Sequence, residues 1–543
     1  MKKLMEFFWV VVFIIAIMLL NINGIIAAER LLRVNALLPV KIDPAVGGND
    51  YYSSMAMLNL YDALIFSGPG GEAQPHVAES WKISEDGLIW TFNIRKGIKF
   101  HDGSELTASD VKFSFDRFRT IGLGNAYLFA GKEISTKVID TYTVNFYLDR
   151  PVGPFLLITQ YFYILNEDLI RANIKKTDEY GELGDYGKEY LLTHDAGSGP
   201  YTLKDIKVGT SMTMVVNPNY WIPIDSHAPD EFEMIGTTEP VTVRTLMSKR
   251  ELELGDPYQS TENLAALEKI EGIKIARYAD TAQWLISLHT KKPPTDDIHF
   301  RKAMAWAFDY DAVVNQILIG FVQAKGPIPQ IISSHDPTLF QYHRNLDKAM
   351  EELKQSKYYD QLEKYPVELF WQESSPDSEK IALLFMANMN DIGITVNLVK
   401  TPQTLLVNKM ADIETSPNCA IVYPGSRYAE AGSMLEQRYT SKAAGWFCAG
   451  EWLLDPEYDA MLEDAIQTID RDERFAKYNK LQQYIVELCP TIFLCDQTSR
   501  LPFQSSYVDW YIDLDKTFSR NRGYCYVLRN IKIYPEKRAA LLE

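Results

Sequence analysis

With 543 residues, 46% of them hydrophobic and 12% aromatic, the chain carries apolar surface for two or three cores rather than one. A formal charge of −17 with no compensating basic stripe excludes nucleic acid and anionic lipid headgroups as partners. Average glycine and proline, no long low-complexity run and no repeat at solenoid or propeller spacing argue against a disordered or repetitive chain.

The first predicted element is an export signal. Lys2 and Lys3 precede an unbroken apolar run over 7–20, and Asn21, Asn23 and Gly24 lead to Ala27 and Ala28 before the charged Glu29 and Arg30. This is the basic, apolar and small-residue order of a secretory signal. Cleavage is expected after Ala28, although Ile26 is bulky for its place, so 1–28 reads as signal peptide and the rest as an exported body. No cysteine stands at the exit to carry a lipid. The expected location is periplasmic or extracytoplasmic. Left uncleaved, the stretch over 7–28 would just cross a bilayer as an anchor.

A short apolar strand is predicted over 31–38 and a helix over 53–64. The Gly-Pro-Gly-Gly cluster at 68–71 lacks the following Gly-Lys-Ser/Thr of a phosphate loop. Alternation predicts strands over 90–94 and 142–148. Between them, "KFHDGSELTASDV" over 99–111 juxtaposes His101, Asp102, Ser104, Thr107, Ser109 and Asp110, which has the look of a catalytic or metal centre. Thr107 with Asp110 three residues on is instead the pattern of a capped helix start, and Val111, Phe113, Phe115 and Phe118 continue it as an apolar face. His101 and Asp102 are expected to hydrogen-bond the turn together.

Further on, a strand is predicted over 211–216, one amphipathic helix over 300–319, another over 379–390 followed by a strand over 394–399, helices from Asp455 and over 471–488, and a strand over 491–494. Helices and strands alternate throughout, so the expected class is α/β. All five cysteines, Cys419, Cys448, Cys489, Cys495 and Cys525, fall in the last quarter with no CxxC, so no redox motif or zinc knuckle is indicated, and one disulfide among them is expected. The eight histidines show no ligand spacing such as HxH or HxxxH, and no metal or other cofactor is expected. There is no GxSxG, no HExxH and no nucleophile elbow, so an enzyme is not expected.

At this point the residues become recognisable. The stretch "PHVAESWKISEDGLIWTFNIRKGIKFHDGSELTASDVKFS" over 75–114 closely resembles the hallmark of extracytoplasmic solute-binding proteins of the peptide/nickel class, family 5, the receptors of ABC importers. The stretches over 198–221, 300–319 and 455–494 resemble the family's later motifs in order. The resemblance implies a two-lobed periplasmic-binding-protein-like fold (type II, cluster C) with an extra inserted domain. It places domain I at 29–66, 193–285 and 502–543, the inserted domain II at 67–192, and domain III, the second ligand-binding lobe, at 286–501, with hinge crossings near 284–289 and 496–501. It implies a monomer whose lobes close on a solute and then dock on permease subunits driven by ATPases.

The ligand-binding residues expected on this basis are Trp284 at the hinge entry, Val422 and Tyr423 in "CAIVYPGS", Trp446 and Phe447 in "AAGWFCAG", and Tyr127 in the loop "GNAYLF". In many peptide-binding members the residue before this Tyr is an Asp that pairs with the peptide's α-amino group; here it is Val422, and the nearest acid is Glu430. A buried ammonium without a counter-charge is costly. Either another acid supplies that contact, or the ligand is not a free-amino peptide and free di- and tripeptides fail to raise the melting temperature. An oligosaccharide stacked on Trp and Tyr faces is the alternative to an oligopeptide, with a metal chelate, as in nickel importers, or a membrane-anchored sensor role behind them.

Overall fold

The computed structural model describes residues 30–48, 50–207, 209–514 and 524–543. The expected signal peptide lies outside the described residues. No described helix is long and apolar enough to cross a membrane.

The architecture is α/β, built on three principal sheets. In the first, Leu31–Ala36 runs parallel to Glu231–Gly236, and Ser211–Val216 and Tyr201–Lys207 continue it antiparallel. The second is antiparallel, in the order Ala78–Ile83, Ile89–Ile94, Thr143–Leu148, Ile134–Asp140, and falls wholly within the span expected for domain II. Its central strands alternate strictly, sending Trp90, Phe92, Val144 and Phe146 inward onto Phe115 and Phe118 of the helix Ala108–Ile121. The third sheet has six strands, Val322–Gln323, Thr491–Gln504, Ile273–Leu288, Cys419–Val422, Val367–Gln372 and Val396–Thr401 in spatial order.

Two of these strands are much longer than sequence periodicity suggests. Ile273–Leu288 and Thr491–Gln504 pair antiparallel, Ile273 opposite Gln504 through Ala279 opposite Thr498, then lose register and resume at Gln283 opposite Asp496. Before the irregularity, Ile273 and Ile275 pack against Val243, Met247 and Leu267. Beyond it, Ile286, Leu288, Ile492 and Leu494 pack around Phe300, Leu369 and Phe385. One ribbon thus joins two apolar cores. Tertiary pairing extends the last strand ten residues past the end that alternation predicts.

The four family-like stretches turn out to be packing elements. Thr107 and Asp110 form the expected capping box, and Gly103, at φ +90°, makes the turn before it. His101 does not pair with Asp102. Its Nδ1 lies 2.5 Å from Asp195 and its Nε2 3.1 Å from the Gly199 carbonyl, while Asp102 accepts from the Ser104 backbone N–H at 2.9 Å and from Asn166 at 2.8 Å. Nearby, the buried Asp62 carboxylate contacts His76 Nε2 at 2.7 Å and accepts from Ser198 and Tyr220, both at 2.9 Å, so the first and second stretches meet on one carboxylate. The third and fourth meet through buried Arg301, which donates to the carbonyls of Leu488 at 2.7 Å and Cys489 at 3.0 Å and so satisfies the end of the helix Arg471–Leu488.

Two expectations are corrected here. The helix predicted over 300–319 is broken: Ile298–Ala307 ends where Phe308 turns extended, and Asp309 starts a new turn by accepting from the Ala312 N–H at 3.0 Å. Asp and its side-chain carbonyl-like acceptors favour such starts over helix interiors. The expected disulfide is not formed. All five cysteines are thiols, and burial pushes those of Cys419, Cys489, Cys495 and Cys525 up.

Candidate functional site

The candidate site begins where the ribbon enters the second core. Gln283 donates its backbone N–H to the Pro424 carbonyl at 3.0 Å, and Ala282 bridges Gly425, which lays the Tyr423–Ser426 loop beside the ribbon. The rings of Trp284 and Tyr423 stack with centroids 4.7 Å apart and planes 25° from parallel. The Tyr423 hydroxyl donates to Gln372 Oε1 at 2.9 Å, and burial pushes its pKa up to about 12, so it remains a donor at any physiological pH. The Trp284 indole N–H is buried without an acceptor. Tyr258, 58% exposed and held in a cluster with Tyr51 and Tyr52, is near enough to Tyr423 to act on it electrostatically.

The other end of the same loop reaches a cavity of about 430 Å³. One wall comes from the second sheet's surroundings and includes Tyr127, Leu128, Lys132, Arg150 and Val152; the other includes Arg427, Glu436, Gln437, Trp446 and Glu463. The walls touch at the rim. Tyr127 meets Trp446 edge-to-face at 5.6 Å, Arg150 pairs with Glu463 at 2.8 Å, and the Gly153 N–H donates to the Ile466 carbonyl at 2.7 Å. The Arg427 guanidinium lies 5.9 Å from the Tyr127 ring centre. A volume of this size suits a small solute.

The six expected residues therefore divide. Trp284 and Tyr423 come together at the ribbon, and Tyr127 and Trp446 come together at the cavity. Phe447 is half-buried and packs on Leu285, Leu406, Met410 and Val422. Val422 itself is a correction: it is fully buried in that cluster, because side chains alternate across the sheet and the neighbour of an exposed-face Tyr points the other way. Glu430, the nearest acid in sequence, is also buried and is held by Arg474 through bonds of 2.9 and 2.7 Å, so it is not available to a ligand. Trp371 is core. Lys132, Glu436, Gln372 and Tyr258 were not expected. No local pattern marks them, since each is placed by long-range packing, and the same holds for Arg427.

Residues 72–446 match the family model for bacterial extracellular solute-binding proteins, family 5, middle. The chain belongs to this family. It is 28% identical over 473 residues to the probable D,D-dipeptide-binding periplasmic protein of Escherichia coli (strain K12), covering 85% of this chain and 87% of that one. It is 22% identical to the dipeptide-binding protein of the same organism, covering 92% and 95%. Among solved structures, the ABC transporter substrate-binding protein CtaP from Listeria monocytogenes superposes with a TM-score of 0.80 at 19% identity, covering 93% of this chain and 99% of that one. The periplasmic binding protein DppA from Helicobacter pylori, solved with the peptide STSA, gives 0.74 at 24%, covering 93% and 97%. The two-lobed fold implied by the sequence resemblance is that of this solute-binding family, and its members serve as receptors for ABC importers.

Proposed function

We propose that this solute-binding protein captures short peptides outside the cytoplasm, in the cavity between Tyr127 and Trp446, and delivers them to a membrane permease driven by ATPase subunits. The observation that carries this reading is the lining of the cavity. Aromatic faces stand beside four cationic side chains, Lys132, Arg150, Arg427 and Lys442, and three carboxylates, Glu436, Asp459 and Glu463. A zwitterion finds counter-charges of both signs there. A neutral oligosaccharide would have to cover those charges without neutralising them, which is costly. Glu436, half-exposed at the wall, supplies the carboxylate that the Tyr423 loop lacks, so the failure of free peptides expected from Val422 is replaced by binding. The register break between Ala279 and Gln283 is the proposed hinge, upstream of the crossing expected at 284–289, and domain I, domain II and domain III move about it as lobes.

A thermal-shift screen tests this with free di- and tripeptides, linear oligosaccharides and nickel–histidine chelate in parallel. A peptide at one hundred times its dissociation constant adds about 2.7 kcal/mol and raises the melting temperature by several degrees. A shift with sugars or the chelate and none with peptides would overturn the reading.

A further inference from the structure

Lys132 is the least satisfied buried charge on the cavity walls. It is 7% exposed, yet its ammonium, which has three donors, makes one hydrogen bond, to the Leu128 carbonyl at 3.3 Å. Its ion-pair partner is Glu436 Oε1 on the opposite wall, at 3.6 Å, too long for a hydrogen bond. Glu436 is itself 43% exposed at its side chain, so the pair is lopsided: a buried cation held loosely to an anion that water can reach. The other cation on the same wall, Arg150, is engaged at closer range by Glu463 at 2.8 Å. Burying an ammonium with donors to spare costs stability unless something returns it.

We propose that Lys132 is the anchor for the C-terminal carboxylate of the bound peptide. The inference rests on the peptide reading above. A carboxylate entering the cavity replaces the 3.6 Å contact with short charge-assisted hydrogen bonds in a site screened from water, where they are strongest. Glu436, released on the facing wall, is then free to meet the ammonium end. Tyr127, set edge-to-face against Trp446, bounds the space where the last side chain lies. The peptide, with its carboxylate on Lys132 and its ammonium end on Glu436, thereby bridges the two walls in place of their direct ion pair, and binding favours their contact.

The test is titration calorimetry on the full chain with L-alanyl-L-phenylalanine, D-alanyl-D-alanine, the C-terminal amide of each, and L-alanyl-L-glutamic acid α-amide, against wild type and Lys132→Met. In wild type, amidation is expected to weaken binding at least tenfold. In Lys132→Met the free acid falls to the affinity of the amide, and the amide itself is unchanged. The variant keeps its melting temperature, because methionine fills the same space without a charge to bury; should it fail to fold, Lys132→Gln takes its place, with the same loss expected for the free acid alone. Equal binding of acid and amide to wild type overturns the anchor while leaving peptide binding intact. Tight binding of the glutamic acid α-amide assigns Lys132 to a side-chain carboxylate and overturns the C-terminal assignment. No binding of any peptide overturns both readings.

Discussion

The turn at His101 and the cavity at Lys132 both gather charged groups from distant parts of the chain, but they treat them in opposite ways. Both ring nitrogens of His101 are engaged, and Asp195 also accepts from the backbone N–H groups of Leu203 at 2.8 Å and Gly197 at 3.1 Å. On the adjoining helix, buried Arg117 is clamped by Asp43 through bonds of 2.7 and 2.6 Å. Lys132, equally buried, has a single bond of 3.3 Å and a partner at 3.6 Å. The first cluster looks like chemistry in the sequence and is scaffold; the second is silent in the sequence and carries the unsatisfied charge. What separates a site from a scaffold here is not which residues gather but whether the protein alone completes their bonds.

If that contrast is right, the largest effect comes from the scaffold. Arg117→Met leaves Asp43 buried without its partner and is expected to cost about 3–5 kcal/mol in chemical denaturation, with no change in which ligands bind. A preserved stability would break the contrast at once.

His101→Ala comes next, at about 1–3 kcal/mol for the bonds lost. Its pH dependence follows from two shifts. Burial opposes protonation of His101, but its bond to Asp195 prevails and raises its pKa above the ordinary 6.5; the same bond outweighs burial at Asp195 and holds its pKa below 3.8. The raised histidine contributes fully below 6.5 and loses its contribution as pH climbs through its folded value. The depressed aspartate contributes fully above 3.8 and loses its contribution as pH falls through its own. The stability gap between wild type and variant should therefore be widest between about pH 4 and 6.5 and narrow on either side. A gap that is flat with pH removes the ion pair from the account.

Thr107→Ala removes one half of the capping box and should cost about 1 kcal/mol, read as a lower denaturation midpoint with unchanged ligand affinity. The smallest stability effect belongs to the cavity. Trp446 is half-exposed, so Trp446→Ala should leave the melting temperature within about a degree, while the lost ring contact weakens peptide binding by roughly three- to tenfold, equivalent to about 0.5–1.5 kcal/mol. Calorimetry showing unchanged affinity would remove Trp446 from the site.

Local patterns made much of this legible. The strand at 89–94, the capped helix after Thr107 and the helix ending at Leu488 follow from alternation, caps and apolar spacing. The family resemblance implied Trp284, Tyr423, Tyr127 and Trp446 as cleft aromatics, and their rings meet in two pairs. What stayed hidden depends on pairing across long separations. Asp195, not the adjacent Asp102, meets His101. The strand that starts at Thr491 runs on to Gln504, ten residues past its predicted end, because Ile273–Leu288 lies beside it. Val422 faces a core because of strand phase, which a one-residue shift inverts. Lys132 and Glu436 are three hundred residues apart, and nothing in either neighbourhood announces that they meet.

The central claim, that solute binds between the walls and not at the His101 turn, is tested most directly by hydrogen-exchange mass spectrometry with and without a saturating peptide taken from the thermal-shift screen. The account predicts slowed exchange over 126–132 and 427–446 and no change over 99–111. Protection over 99–111, or none at the two cavity walls, would contradict it.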